Sequence, residues 1–255
     1  MAAFELRPMR TGEILDGAIT MMRWQFGVLF GISVVCLGLP TVLDIYIDLT
    51  GGRTAHLGLA LLERLLSLFG TLLVTGATVS AVSEAYLGRT PQLGDSLRYG
   101  LSKLGFIFSA SIVSGFLGVL ALIVFVIPGI IVFCGYAVVA QVAALEPLNS
   151  GTDALQRSWT LTKGFKGKAF VLWLVALVII AALGLSGGLV ATLAATVSPV
   201  FEPVSTVLLA LVMLLYYPLL TCVFTLFYYD LRVRKEGFDV EVLATQLGGA
   251  PASAA

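Results

Sequence analysis

Charge is what this 255-residue chain has least of. Asp, Glu, Lys and Arg make up 12% of it, about half their share in an average soluble domain, which excludes a conventional water-facing surface over most of the molecule. Histidine is scarcer still, with His56 the only one. Cys36, Cys134 and Cys222 lie in apolar runs without CxxC spacing. No metal-ligand set can be assembled from Cys and His, the cysteines read as small core residues, and no cofactor is expected. A formal net charge of zero leaves no general attraction to nucleic acid.

What is present is apolar. Mean hydropathy is +1.00, and several runs of about 20 apolar residues can each cross a hydrocarbon core of ~30 Å at ~1.5 Å per residue. The expected fold is all-α, a polytopic membrane protein with six transmembrane helices arranged as three hairpins. The spans read as residues 27–47, 65–85, two within 105–146, 169–191 and 204–229. As a single helix, 105–146 would be about 63 Å long, twice the hydrocarbon thickness, so it must fold back. The turn is expected at "VIPGI", where Pro128 fixes its own φ and Gly129 tolerates a positive one. "TVSPVFEP" reads as a short loop and the tail 245–255 as disordered, leaving 1–244 as one membrane domain. The N-terminal stretch lacks the apolar core of a cleavable signal, so the chain is expected to keep its first residues.

Orientation follows from the distribution of Lys and Arg. With both termini cytoplasmic, thirteen of the fifteen fall inside and only Arg53 and Arg64 towards the outside. "TGEILDGAITMMRWQFG", "PQLGDSLRYGLSKLGF" and "NSGTDALQRSWTLTKGF" precede the first, third and fifth spans. In each, glycine, an acid and leucine lead a helix-length segment ending in aromatic and basic residues. The chain thus reads as three copies of one unit, about 11–87, 92–147 and 149–230, each a cytoplasmic interfacial amphipathic helix followed by a membrane hairpin. In the first helix Ile14, Leu15, Ala18, Ile19 and Met22 form the apolar face and Thr11 is the expected cap. Thr90 and Pro91 open the second, and Ser150 with Asp153 forms a capping pair for the third.

Two sets of candidate site residues follow. Trp159, Lys163, Lys166 and Lys168 place an aromatic anchor and three cations at one membrane edge, where they can contact lipid headgroups, anionic ones in particular. Glu84, Glu146 and Asp230 close the even-numbered spans. A lone carboxylate is costly there, so interfacial ion pairs with Arg98, Arg157, Arg232 or Arg234 are expected. Asp230 should seek Arg234, one turn on.

"RPMRTGEILDGAITMMRWQF", "IPGIIVFCGYAVVAQVAALEPLNSGTDALQRSWTLTKG" and "FYYDLRVRKEGFDVEVLA" resemble the bacterial family named for the membrane domain of glycerophosphoryl diester phosphodiesterase, over roughly residues 5 to 245. The resemblance implies a multi-pass protein of the bacterial inner membrane. In that family the membrane part accompanies a soluble phosphodiesterase domain in some members and stands alone in others; here it is expected to stand alone. One histidine cannot supply the acid–base chemistry of such hydrolysis, and the central stretches of the spans carry no ionisable group except thiols, so no enzyme is expected. The leading reading is a non-catalytic membrane module that organises or regulates a membrane or cytoplasmic protein partner or a lipid pool. A transporter or channel subunit is the alternative, and a membrane enzyme acting on lipid headgroups ranks below it.

Overall fold

The computed structural model describes residues 7–50, 52–197, 202–238 and 240, among which there is no strand. The helices run in the order α1 (Thr11–Trp24), α2 (Phe26–Leu49), α3 (Gly52–Ala55), α4 (Leu57–Tyr86), α5 (Leu93–Val124), α6 (Val126–Gly135), α7 (Val139–Leu145), α8 (Gly151–Thr162), α9 (Lys166–Val197) and α10 (Glu202–Glu236). Six segments among the described residues are long and apolar enough to cross a membrane: α2, α4, α5, α6 with α7, α9 and α10. Their outward faces carry Leu39, Val42, Phe116, Ile123, Leu177 and Leu185, all exposed. In water such a continuous apolar belt would drive aggregation, whereas against acyl chains it costs nothing. The protein is an all-α, multi-pass membrane protein.

Helix α4 is the hub, packing on α2, α5, α7 and α10. Its contact with α5 is backbone to backbone: a Cβ on Gly100 would stand 2.8 Å from the Ala77 nitrogen, and one on Gly76 3.1 Å from the Gly100 Cα. Small residues let the two helices approach where no hydrophobic effect draws them together.

Several local expectations are corrected. The third and fourth spans turn at Phe125, whose φ of −154° and ψ of 135° interrupt the helix, rather than at Pro128 and Gly129. Pro128 instead lies in the first turn of α6, where its missing N–H is no loss. Gly129 is not among the glycines with positive φ; a Cβ there would meet the Leu122 side chain and backbone, so its role is close packing. In the middle unit the amphipathic segment runs without a break into the span as α5, which starts after Pro91 with Gln92 as its cap. Only α1 and α8 are separate helices. At α1 the cap residue is Arg10, not Thr11, and the Glu13 carboxylate accepts the Arg10 N–H at 2.6 Å. Its buried face is Ile14, Gly17, Ala18, Met21 and Met22, while Ile19 stays exposed, because α1 packs against α10 rather than only lying on a lipid surface. Residues 198–201 of the "TVSPVFEP" stretch and the tail 245–255 lie outside the described residues.

Candidate functional site

The side of the bundle that carries α1, α8 and most of the basic residues is held by two ionic clusters. The first centres on Asp230, which follows the buried run Phe227, Tyr228 and Tyr229 near the end of α10 and is itself fully buried. Its carboxylate accepts the Met9 N–H at 2.7 Å, Lys168 Nζ at 2.6 Å and Arg234 Nε at 3.0 Å. Lys168 and Arg234 also donate to the Met9 carbonyl, at 2.6 and 2.8 Å. The strand-like entry to α1 is thereby tied to α9 and α10 by charge-assisted hydrogen bonds, the strong kind.

The second cluster fastens α8. Arg157 Nε donates to Glu146 at 2.7 Å and its Nη1 pairs with Glu236, which also accepts from Arg232 at 3.0 Å. Tyr228 donates its hydroxyl proton to the other Glu146 oxygen at 3.0 Å. Arg234 and Arg232 therefore serve different carboxylates.

Glu84 and Arg98, expected among the interfacial ion pairs, form none among the described residues, Arg98 being exposed and Glu84 half-buried. The reason is rotational. Gly100 is the residue pressed on α4, and Arg98, two positions earlier, lies about 200° round the helix.

The lysines of the "KGFKGK" stretch do not form one cationic patch either. Lys168 is spent inside on Asp230, with a side chain only 12% exposed. Lys166 sits 3.3 Å above the Trp159 ring, Lys163 is exposed, and Gly164, at φ +88°, makes the turn between α8 and α9. Helix resumes at Lys166, so Gly167 is helical.

The fourth span is discontinuous. Helix α6 ends at Gly135, residues 136–138 turn, and α7 completes the crossing. The Gly135 carbonyl, released from the helical ladder, accepts from Ser158 Oγ at 3.0 Å, and Thr162 Oγ1, also 3.0 Å away, shares its one proton between that carbonyl and the Ser158 carbonyl at 2.9 Å. Trp159 from α8 covers Gly135 so closely that a Cβ there would overlap its ring. Side chains inserted into the ladder are a recognised cause of such breaks, and a freed backbone group is tolerated at membrane depth only when satisfied in this way.

Beside the break lies a cavity of about 270 Å³, bounded by Phe133 and Trp173 and lined with Thr75, Ser114, Gln141 and Thr221. Thr75 is eleven residues before the end of α4 and Trp173 seven after the start of α9, so the cavity is about 10–16 Å deep, near the middle of the hydrocarbon. Three of its hydroxyls have their protons committed: Thr75 to the Thr71 carbonyl at 2.9 Å, Ser114 to Ser111 at 3.2 Å and Thr221 to Tyr217 at 3.0 Å. A hydroxyl whose proton is committed in this way keeps its oxygen as an acceptor. Gln141 is 4% exposed and its Oε1 has no hydrogen-bond partner.

One polar residue was missed by the sequence reading. Glu63, just before the apolar run 65–85 and not among the candidate site residues, is 4% exposed. A signal was available: Glu63, Ser67, Thr71 and Thr75 are spaced by four along α4, as Tyr217, Thr221 and Thr225 are along α10, and these two helices pack together. Polar residues at i, i+4 inside a span mark a face that is not turned to lipid. Comparison of the chain with protein-family models, with curated proteins and with solved structures finds no match.

Proposed function

We propose that this integral membrane protein takes a small, neutral, hydrogen-bond-donating solute into the cavity at the break of the fourth span and passes it across the membrane without chemical conversion. The observation that carries this reading is Gln141, an amide in the wall of the cavity whose buried oxygen is unpartnered and can be turned to a ligand there. Leaving such a group unmade costs about 1–3 kcal/mol, which a donor ligand would recover. Discontinuous spans beside polar sites near the bilayer midplane are the way many secondary transporters bind their solutes. The main objection from sequence, that the spans offer no charged ligand, does not apply to a neutral solute.

The test is stopped-flow reswelling of proteoliposomes in urea, erythritol and xylitol. Vesicles carrying the protein should reswell faster than empty ones in at least one solute, and Gln141→Leu should remove the difference while preserving fold and insertion. Equal rates for all three solutes, with and without protein, would refute the reading.

The lipid-organising module retains one specific support, the Lys166 ammonium over the Trp159 ring beside exposed Lys163, an edge suited to anionic headgroups. That reading requires Lys163→Gln/Lys166→Gln to lose anionic phospholipid during purification. Lys168 belongs to the internal cluster and takes no part in it.

A further inference from the structure

On the opposite side of the bundle from α1 and α8, a second cavity of about 240 Å³ lies between α2, α4 and α10, with Glu63, Asp44, Asp48 and Ser67 against Leu37 and Tyr217. We propose that it binds a small organic ammonium ion, with Glu63 as the counter-charge. This inference stands apart from the solute reading and uses different residues.

Glu63 and Asp230 are the two acidic side chains buried among the described residues, and they differ in one respect. Asp230 accepts from an amide, a lysine and an arginine, whereas Glu63 Oε2 accepts from nothing. Its closest base is Arg64, 3.6 Å away, beyond hydrogen-bond range, on a side chain that is 62% exposed. Adjacent residues on a helix do not share a face, so Arg64 cannot follow Glu63 inward. A buried carboxyl whose one nearby base is 3.6 Å away and mostly in solvent is expensive to hold, and inside a membrane such a group marks a functional position by default.

The charges around it favour a cation. From α2 come Asp44, paired with Arg53, and Asp48, exposed and without an ion pair. From α4 come Glu63 and Arg64, and at its cap His56, whose ring faces the Thr50 carbonyl. Among the described residues α10 lines the cavity with uncharged side chains, among them Leu209, Met213 and Tyr217. Three carboxylates thus stand against two guanidiniums. No three Asp, Glu, His or Cys among the described residues converge closely enough to hold a metal ion, and the walls are largely apolar. The chemistry that fits both is an ammonium group on a compact hydrocarbon body, with its N–H donors on Glu63 and its apolar part against α10 and the Tyr217 ring.

The experiment uses the full chain in nanodiscs of neutral lipid at pH 7, with benzylammonium as probe, benzyl alcohol as its uncharged counterpart and Na⁺ as the bare cation. Thermal unfolding is followed with and without each. Benzylammonium should raise the midpoint saturably, by several degrees at roughly a hundredfold excess over its dissociation constant. Benzyl alcohol and Na⁺ should not, and Glu63→Gln should abolish the shift. Asp48→Asn, at an exposed position that should not disturb folding, should weaken the probe about fivefold, in line with the loss of one nearby charge. No benzylammonium shift in the wild type, an equal shift with benzyl alcohol, or an undiminished shift in Glu63→Gln would each overturn the proposal. So would a protonated-carboxyl infrared band that vanishes in Glu63→Gln yet does not respond to benzylammonium, since Glu63 would then carry its own proton.

Discussion

Asparagine in place of Asp230 preserves the shape of the side chain and removes its charge. The wild-type carboxylate is fully buried and accepts three hydrogen bonds, from Met9, Lys168 and Arg234. An asparagine Oδ1 can keep both the Met9 N–H and Arg234 Nε, which share that oxygen, but its amide nitrogen would then turn a donor towards Lys168. Lys168, with 12% of its side chain exposed, would be left with the Met9 carbonyl as its remaining acceptor. Each hydrogen bond to a charged group is worth about 1.5–3 kcal/mol net, and removing one partner of a buried pair costs about 3–5 kcal/mol. Because the three bonds share one group they do not add, and a loss of about 3–5 kcal/mol is expected for Asp230→Asn. At about 2–4 °C per kcal/mol for a chain of this size, the unfolding midpoint should fall by about 6–20 °C. Lys168→Met should cost less, about 1.5–3 kcal/mol, since Arg234 still neutralises Asp230. In the double variant the deficit should be smaller than the sum by about 1–3 kcal/mol. The assay is built into the molecule: Cys134 and Cys222 are buried, so a thiol-reactive dye reports unfolding in detergent. An Asp230→Asn variant within about 0.5 kcal/mol of wild type, or strict additivity in the double variant, would refute the argument that this cluster fastens the N-terminal segment to the bundle.

Three further outcomes are expected. A cysteine introduced at residue 164 should label only from the cytoplasm and one at residue 52 from outside; outside labelling of residue 164 in intact cells would reverse the orientation drawn from the basic residues. Gly100→Ala should destabilise by about 1–3 kcal/mol, because its Cβ would meet the Ala77 backbone at 2.8 Å, which cannot rotate away, whereas Gly94→Ala, with open space around it, should be harmless in the same unfolding assay. The Arg7 guanidinium and the Arg10 amide hold the Glu13 carboxyl down to about 2 from its ordinary 4.5. A depressed carboxyl pKa stabilises fully above the ordinary value and the benefit fades as pH falls towards 2, so the protection of the amides of residues 10–14, measured relative to their intrinsic exchange rate at each pH, should fall across that window in wild type and be already low at neutral pH in Glu13→Gln.

Six apolar runs and the requirement that 105–146 fold back were readable from residue type and length alone, because the bilayer imposes one thickness on every crossing. The carboxylates at the ends of the fourth and sixth spans were readable too, since a charge beside hydrocarbon needs a partner. For Asp230 the base one turn on, Arg234, was readable as well, but across helices the partner was not: Arg98 is near the start of the helix after Glu84, and the contact of Gly76 with Gly100 rotates it away. The break after Gly135 is harder still. Nothing in "FCGYAVVAQ" demands it, because glycine inside a span is common and no proline is present. It is supported by Ser158, more than twenty residues later, which supplies a hydroxyl donor to the freed carbonyl, and by Thr162, which reaches the same oxygen. Both lie on the face of α8 that carries Ala154, Leu155 and Leu161, so α8 joins the membrane bundle through its apolar face with two hydroxyls set into it. Glu63 is likewise a polar residue on an inward face. Amphipathic periodicity tells which residues share a face, but in a membrane protein the polar face can turn inward as well as outward, and only the partners, or their absence, distinguish the two.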